Sequence, residues 1–278
     1  MKLRKLIEQI EVFAPPSYAE DWDNTGLIAG DYEQNITNAV LCLDVTEKAF
    51  DLCKEKNAQI CISHHPFIYD PIKSMDFSDP YFALLRKFIQ ADIAIYAAHT
   101  NLDICAGGVN DALGKKLDLN IAETFLPVED HKAVSSIIDN IAPFIGRIIP
   151  GIGRICTTRE DMDLYGFYKT VIRRLETPGC HINFDSNRKV GKVLVIGGSY
   201  DSKWNRDVIE SGVDVIICGE IKHKDMIFFT RNGIGAFAAG HDTTERVVLP
   251  EFAEYLNKEI KEIRFDVCKP FDYNKVVF

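Results

Sequence analysis

The sequence predicts an α/β protein of two related halves with mixed or mostly parallel sheets. Three observations predict it. Ala39 to Val45 and Ala58 to Ser63 are apolar runs on either side of a helical stretch at 47–56. Lys192 to Ile196 and Val213 to Cys218 repeat that layout around a helical stretch at 204–211. Each unit then runs into polar residues able to bind a ligand: His64 and His65 in the first, Glu220 and His223 in the second. A strand–helix–strand unit defaults to a parallel pair with a right-handed crossover.

The elements follow in order. Leu3, Leu6, Ile7 and Ile10 recur at helical spacing, so a helix is expected over 3–13, stopped by Pro15 and Pro16. Trp22 to Gly30 reads as a turn and a short strand. Asp44 closes the strand Ala39 to Val45, where it orients a neighbouring imidazole or forms a turn, and Thr46 caps the helix at 47–56. A polar loop and a helix from Tyr81 to Ile89 lead to a strand from Ile93 to Ala98, which delivers His99. Gly107 and Gly108 turn the chain into a short helix at 109–117. The segment Glu123 to Asp130 reads as a boundary. Helices are expected at 131–140 and 161–175 around a Gly-rich strand pair, Ile145 to Ile155. A strand from Gly235 delivers His241, a long helix runs from Thr244 to Asn257, and a last strand covers 262–267.

Composition narrows the function. The 278 residues are 46% hydrophobic and 26% charged, which excludes a mainly disordered chain. The net charge of −9 opposes duplex nucleic acid in the average field, although basic stretches such as 188–192 and 221–224 are available locally. None of the eight cysteines forms a CxxC pair, and Cys42, Cys61 and Cys218 sit in buried-strand patterns as small hydrophobes. A reducing, cytoplasmic setting is expected, with no signal peptide at the N-terminus and no membrane contact.

Three strand ends carry the chemistry: S-H-H-P at 63–66, H-T-N-L-D at 99–103 and G-H-D-T-T-E at 240–245. In parallel α/β sheets ligands bind outside the carboxyl ends of the strands. His241 and Glu245 at i, i+4 share one face of a helical turn. Each piece also has a plain structural reading. The histidine doublet could be surface, Asp103 could cap a turn, and Glu245 could belong to a helix cap. Together, His64, His65, His241, Asp103 and Glu245 make a donor set that suits Zn, Fe or Mn and does not suit calcium. Two carboxylates could bridge a pair of ions, so two divalent metal ions per subunit are expected. Gly197-Gly198-Ser199 either cradles an anion or makes a turn, and no Walker loop is present.

These segments, with W-D-N-T-G-L at 22–27 and G-G-V-N-D at 107–111, resemble the GTP cyclohydrolase 1 type 2 homologue family, also called Nif-three-like. The resemblance runs in the family's order from Trp22 to Glu245. It implies a Nif-three-like fold of two α/β domains, and the chain looks too short for the inserted third domain of some members. The expected domains are 1–126 with 241–278, and 127–240. By resemblance, His64, His65, Asp103, His241 and Glu245 fall on metal-ligand positions. His99 matches a histidine beside the site, and Glu220 and His223 match a G-E-x-x-H segment near the metals. The catalytic candidates are therefore His99, Glu220 and His223. Asp242 departs from the aromatic residue of many members, and is expected to face solvent or cap a helix. The expected activity is dinuclear metal-dependent hydrolysis of a nucleotide or other phosphate-containing small molecule, and the resemblance implies a homohexamer. Two readings remain beside it: a metal-stabilised scaffold or interaction protein without turnover, and a nucleic-acid-binding ring.

Overall fold

The computed structural model describes residues 1–128, 149–183 and 188–269. Helix α1 (Leu3–Phe13) stops before Pro15, as its spacing predicts, and buries Leu3, Leu6, Ile7 and Ile10. Then come β1 (Gly26–Ala29), β2 (Asn38–Cys42), α2 (Glu47–Lys56), β3 (Ile60–Ser63), α3 (Pro80–Gln90), β4 (Ala94–Ala97) and α4 (Thr100–Ile104). The next elements are α5 (Val109–Lys116), β5 (Asn120–Pro127), β6 (Gly151–Asp163), α6 (Leu164–Leu175), β7 (His181–Ile182) and β8 (Lys189–Ser199). Last are α7 (Asn205–Ser211), β9 (Val215–Glu220), α8 (His223–Arg231), β10 (Gly235–Ala238), α9 (His241–Glu245), α10 (Val248–Glu259) and β11 (Arg264–Val267).

The chain divides into two compact units, Met1–Leu102 with Leu249–Phe278, and Asp103–Val248. In the first, the strand order is β1-β4-β3-β2-β11. The strands β2, β3 and β4 are parallel, with Cys42, Ser63 and Ala97 in register at their carboxyl ends. Val40 and Cys42 face a core shared with Ala49 and Cys53 of α2 and Leu84, Leu85 and Phe88 of α3. Ala39 and Leu41 point the opposite way by strand alternation and are also fully buried. A sheet covered on both faces needs continuous apolar strands, which is what the runs at 39–43 and 60–62 supply. Thr46 caps α2, its Oγ1 accepting from the Ala49 backbone N–H at 3.2 Å.

The second unit has the strand order β5-β6-β8-β9-β10-β7. Its central strands β8, β9 and β10 are parallel, with Ile196, Cys218 and Ala238 in register. Phe167, Val171 and Leu175 of α6 pack on one cluster of core residues. Val208 of α7 and Phe229 of α8 belong to a second cluster. Each unit therefore repeats a triplet of parallel strands with helical crossovers.

Three local expectations change. The segment Glu123 to Asp130 is no boundary over its described part, because β5 runs through Pro127 and pairs antiparallel with β6. Of the strand pair expected over Ile145 to Ile155, the described part from Gly151 is the start of one long strand, β6, paired with β5 on one side and β8 on the other. Residues 244–257 are not one helix: α9 ends at Glu245 and α10 starts at Val248. The helix expected at 131–140 lies outside the described residues. Residues 103–126 and 241–248 lie in the second unit, since β5 joins its sheet and α5 and α9 pack on β8.

Candidate metal centre

In the first unit the register of β2, β3 and β4 decides what meets beyond their ends. The His64 and His65 backbone N–H groups donate to the Cys42 and Leu43 carbonyls at 3.0 and 2.9 Å. The Ala98 N–H donates to the Ser63 carbonyl at 2.9 Å. The ladder thus continues past the strands and brings Asp44, His65 and His99 to one level. The ring centroids of His64, His65 and His99 are separated by 5.0, 5.3 and 5.5 Å. One ligand nitrogen from each lies within 4.8 Å of the others.

Each ring is held from behind. His64 Nδ1 donates to the Ala98 carbonyl at 3.0 Å, His65 Nδ1 to Asp44 Oδ1 at 2.7 Å, and His99 Nδ1 to Asp23 Oδ1 at 2.8 Å. These oxygens only accept, so Nδ1 carries the proton and Nε2 keeps its lone pair in the neutral ring. That is the arrangement expected of metal-binding imidazoles, whose other nitrogen is fixed by an acceptor. Asp44 orients His65, as the sequence allowed.

Asp23 is a residue that sequence reasoning missed. Its side chain is fully buried. Burial alone would raise its pKa. Hydrogen bonds from His99 and Thr100, with the His99 charge, outweigh burial and hold the carboxyl below the usual aspartate range. Its neighbours complete a brace. Asn24 Nδ2 donates to the Ile68 carbonyl at 2.6 Å, and Thr25 Oγ1 to the Ala97 carbonyl at 2.8 Å. Trp22 sets its ring edge-on to His99 at 5.9 Å. The only sequence signal was the W-D-N-T-G-L stretch itself.

In the second unit the carboxyl ends of β8, β9 and β10 carry Ser199, Glu220 and, after Gly240, His241. Helix α9 places His241 Nε2 3.0 Å from Glu245 Oε1. Ser199 Oγ donates to Glu220 Oε2 at 2.9 Å and lies 3.4 Å from His241 Nδ1, with Glu220 itself 3.6 Å from that nitrogen. Glu245 is buried beside the irregularity of β8 at Gly198, which has a φ of +66°. A Cβ at Gly198 would stand 2.2 Å from Glu245 Oε1, so the glycine is required by a side chain as well as by its backbone angle. Gly197-Gly198 is thus no turn but an irregularity within β8 that makes room for a carboxylate.

Asp103 lies in the last turn of α4, and its carbonyl accepts from Asn110 Nδ2 at 2.9 Å. Asn110 also receives the Gly197 backbone N–H at 2.9 Å. Behind it, Arg154 is fully buried and forks onto Asp111 at 2.9 and 2.8 Å. Asp111 Oδ2 also accepts from the Gly107 backbone N–H at 2.8 Å. This lock fixes the turn that follows Asp103. Asp242 neither faces solvent nor caps α9. It is 5% exposed and faces Arg246 at 3.4 Å. His223 opens α8 and is exposed. Among the described residues no hydrogen bond joins it to Glu220 or His241.

A model of the Duf34/NIF3 family (NGG1p interacting factor 3) matches residues 1–271. The chain belongs to this family. A Clostridium perfringens relative named GTP cyclohydrolase 1 type 2 homolog is 28% identical over 278 residues, covering 98% of this chain and 100% of the relative. NIF3-like protein 1 of Drosophila melanogaster is 29% identical over 267 residues, covering 94% and 84%. The solved structure of a Staphylococcus aureus hypothetical protein superposes with a TM-score of 0.84 at 28% identity, covering 100% of this chain and 98% of that one. A Bacillus cereus protein related to NIF3 shares the fold, with a TM-score of 0.82 at 21% identity over 100% and 99% of the two chains. The two-half α/β architecture is that of the family. Among the described residues no helix is long and apolar enough to cross a membrane.

Proposed function

We propose that this protein is a dinuclear metal-dependent hydrolase of a nucleotide or other phosphate-containing small molecule. The observation that carries the reading is the trio of imidazoles at adjacent strand ends, each with Nδ1 tied to an acceptor. His64, His65, Asp103, His241 and Glu245 would hold two divalent ions. The donor set of imidazole nitrogens and carboxylates fits Zn, Fe or Mn better than calcium or magnesium. When bound, such a pair activates water and stabilises a developing oxyanion.

The chain's own residues supply the rest. Asp44 and the Ala98 carbonyl hold the His65 and His64 rings in one tautomer. His99 accepts a proton at Nε2, while Asp23, kept ionised, stabilises the resulting imidazolium. Ser199 and Glu220 hold His241 at Nδ1. Glu220 is largely exposed and passes protons to solvent. His223 has no part in this reading.

The test starts with metal analysis of untagged protein. Metal-reconstituted protein is then assayed against nucleotides and simple phosphoesters. The combined His65→Ala and Glu245→Ala variant is expected to lose turnover by more than about 1,000-fold while staying folded, the scale of losing a metal-activated nucleophile. Turnover unchanged in that variant removes the proposed centre. A parent that binds metal, hydrolyses nothing and unfolds when the ligands are removed is a scaffold instead.

A further inference from the structure

Beside the imidazole trio the first unit carries a cavity of about 740 Å³. It lies between the loop 64–79, the start of α2 and the first turn of α3, and His65 and Asp44 form part of its wall. That volume is within the range of small-molecule sites, roughly 300–1,000 Å³. The rest of the wall is mostly apolar and aromatic. Phe67 and Tyr81 stack face to face at 4.3 Å with 5° between their planes. Their pairing is pinned by the Tyr81 hydroxyl, which donates to the Phe67 carbonyl. Tyr69 lines the same cavity and is 49% exposed, and its ring meets His99 edge-on at 5.8 Å. Aromatic side chains therefore line the cavity, and one of them, Tyr69, reaches the imidazoles. Lys73, also on the wall, brings a cation to it.

A site that only held phosphate would need donors and positive charge, and would have no use for stacked rings. Flat aromatic walls favour a flat, polarisable guest, and the imidazoles at one end favour the reacting group there. We propose that the substrate carries a planar aromatic or heteroaromatic ring, which enters this cavity and stacks against the exposed rings of Tyr69 and Tyr81. The phosphate or other reacting group then lies toward His65. The inference rests on the hydrolase reading for the placement of that reacting group, and on the cavity alone for the ring.

The test compares two ligands with the same phosphate. A purine nucleoside 5′-monophosphate and ribose 5-phosphate are titrated calorimetrically into the whole chain as purified. Any phosphate contact is common to both, so their ratio reads the ring. The purine compound is expected to bind roughly tenfold tighter or more, the scale of one base stacked on an aromatic side chain. Tyr69→Ala should bring the two within about twofold, and Tyr69→Phe should restore the preference. Tyr69 is half exposed, so its truncation leaves the core in place. Phe82→Ala, on the same wall, serves as a second variant. Equal affinity of the two ligands in the parent overturns the proposal, and so does a preference untouched by both truncations. A failed hydrolase reading shows differently: the ring preference persists, and no metal-loaded sample turns over either ligand.

Discussion

The two units end their parallel strand triplets in different ways. Beyond β2, β3 and β4 three imidazoles converge, and each is held by an acceptor of its own unit. His64 is 1% exposed and the Asp23 side chain is fully buried. Beyond β8, β9 and β10 the His241 imidazole stands, its side chain 31% exposed, between buried Glu245 and the exposed pair Ser199 and Glu220. The same scaffold thus gives one preorganised donor cluster and one open edge. Preorganisation suits binding, because rings already fixed lose little freedom when they take up an ion. The open edge suits exchange of protons with solvent.

Several substitutions break or sharpen that contrast. The largest expected effect lies under the open edge, where Asp111→Ala leaves Arg154 buried without its carboxylate. It should cost about 3–5 kcal/mol in urea unfolding. A loss below about 1 kcal/mol would show that the lock does not support the second unit. Next come the acceptors. Asp44→Ala, which frees the His65 ring, should weaken metal binding about 10–100-fold, measured by competition with a chelating dye. Asp23→Ala, which frees the proton acceptor His99, should lower turnover and leave metal affinity within about threefold. Ser199→Ala should weaken it less than tenfold, since its partner Glu220 is solvated and also faces His241. Equal effects on both sides would erase the distinction between the units. Gly198→Ala should lower stability by about 1–3 kcal/mol, because it combines a positive φ with a clash against Glu245. It should also reduce metal affinity without touching any donor atom.

The smallest effect concerns the thiols. Burial pushes the Cys156 and Cys218 thiols up to about 12. At pH 8 both are fully protonated, so the native protein should resist iodoacetamide at these positions, while denatured protein labels at all eight cysteines. Rapid labelling of native Cys218, close under the Gly198 carbonyl, would put a reactive sulfur among the donors.

Much of the site was legible because strand ends announce themselves. An apolar run that stops at two histidines says where they lie, and i, i+4 spacing says that His241 and Glu245 meet. Asp44 was legible as a partner because it closes the strand beside His65. Asp23 was not, since its bond to His99 spans 76 residues and the W-D-N-T-G-L stretch around it names no partner. Arg154 was hidden for the same reason, as an arginine inside an apolar strand declares no partner. Ser199 was read with its glycines as a turn, and its hydroxyl's place between Glu220 and His241 needs the register of β8 on β9. The break between α9 and α10 escaped although Pro250, in the first turn of α10, signals a helix start. The placement of β5 escaped because a strand's pattern does not name the sheet it joins.

Anomalous diffraction from metal-soaked crystals tests the central claim most directly. The account predicts peaks at metal–nitrogen bonding distance, about 2.0–2.2 Å, from Nε2 of His64 and of His65. Peaks bound only at surface carboxylates, with the imidazole trio and His241 bare at saturating metal, would contradict it.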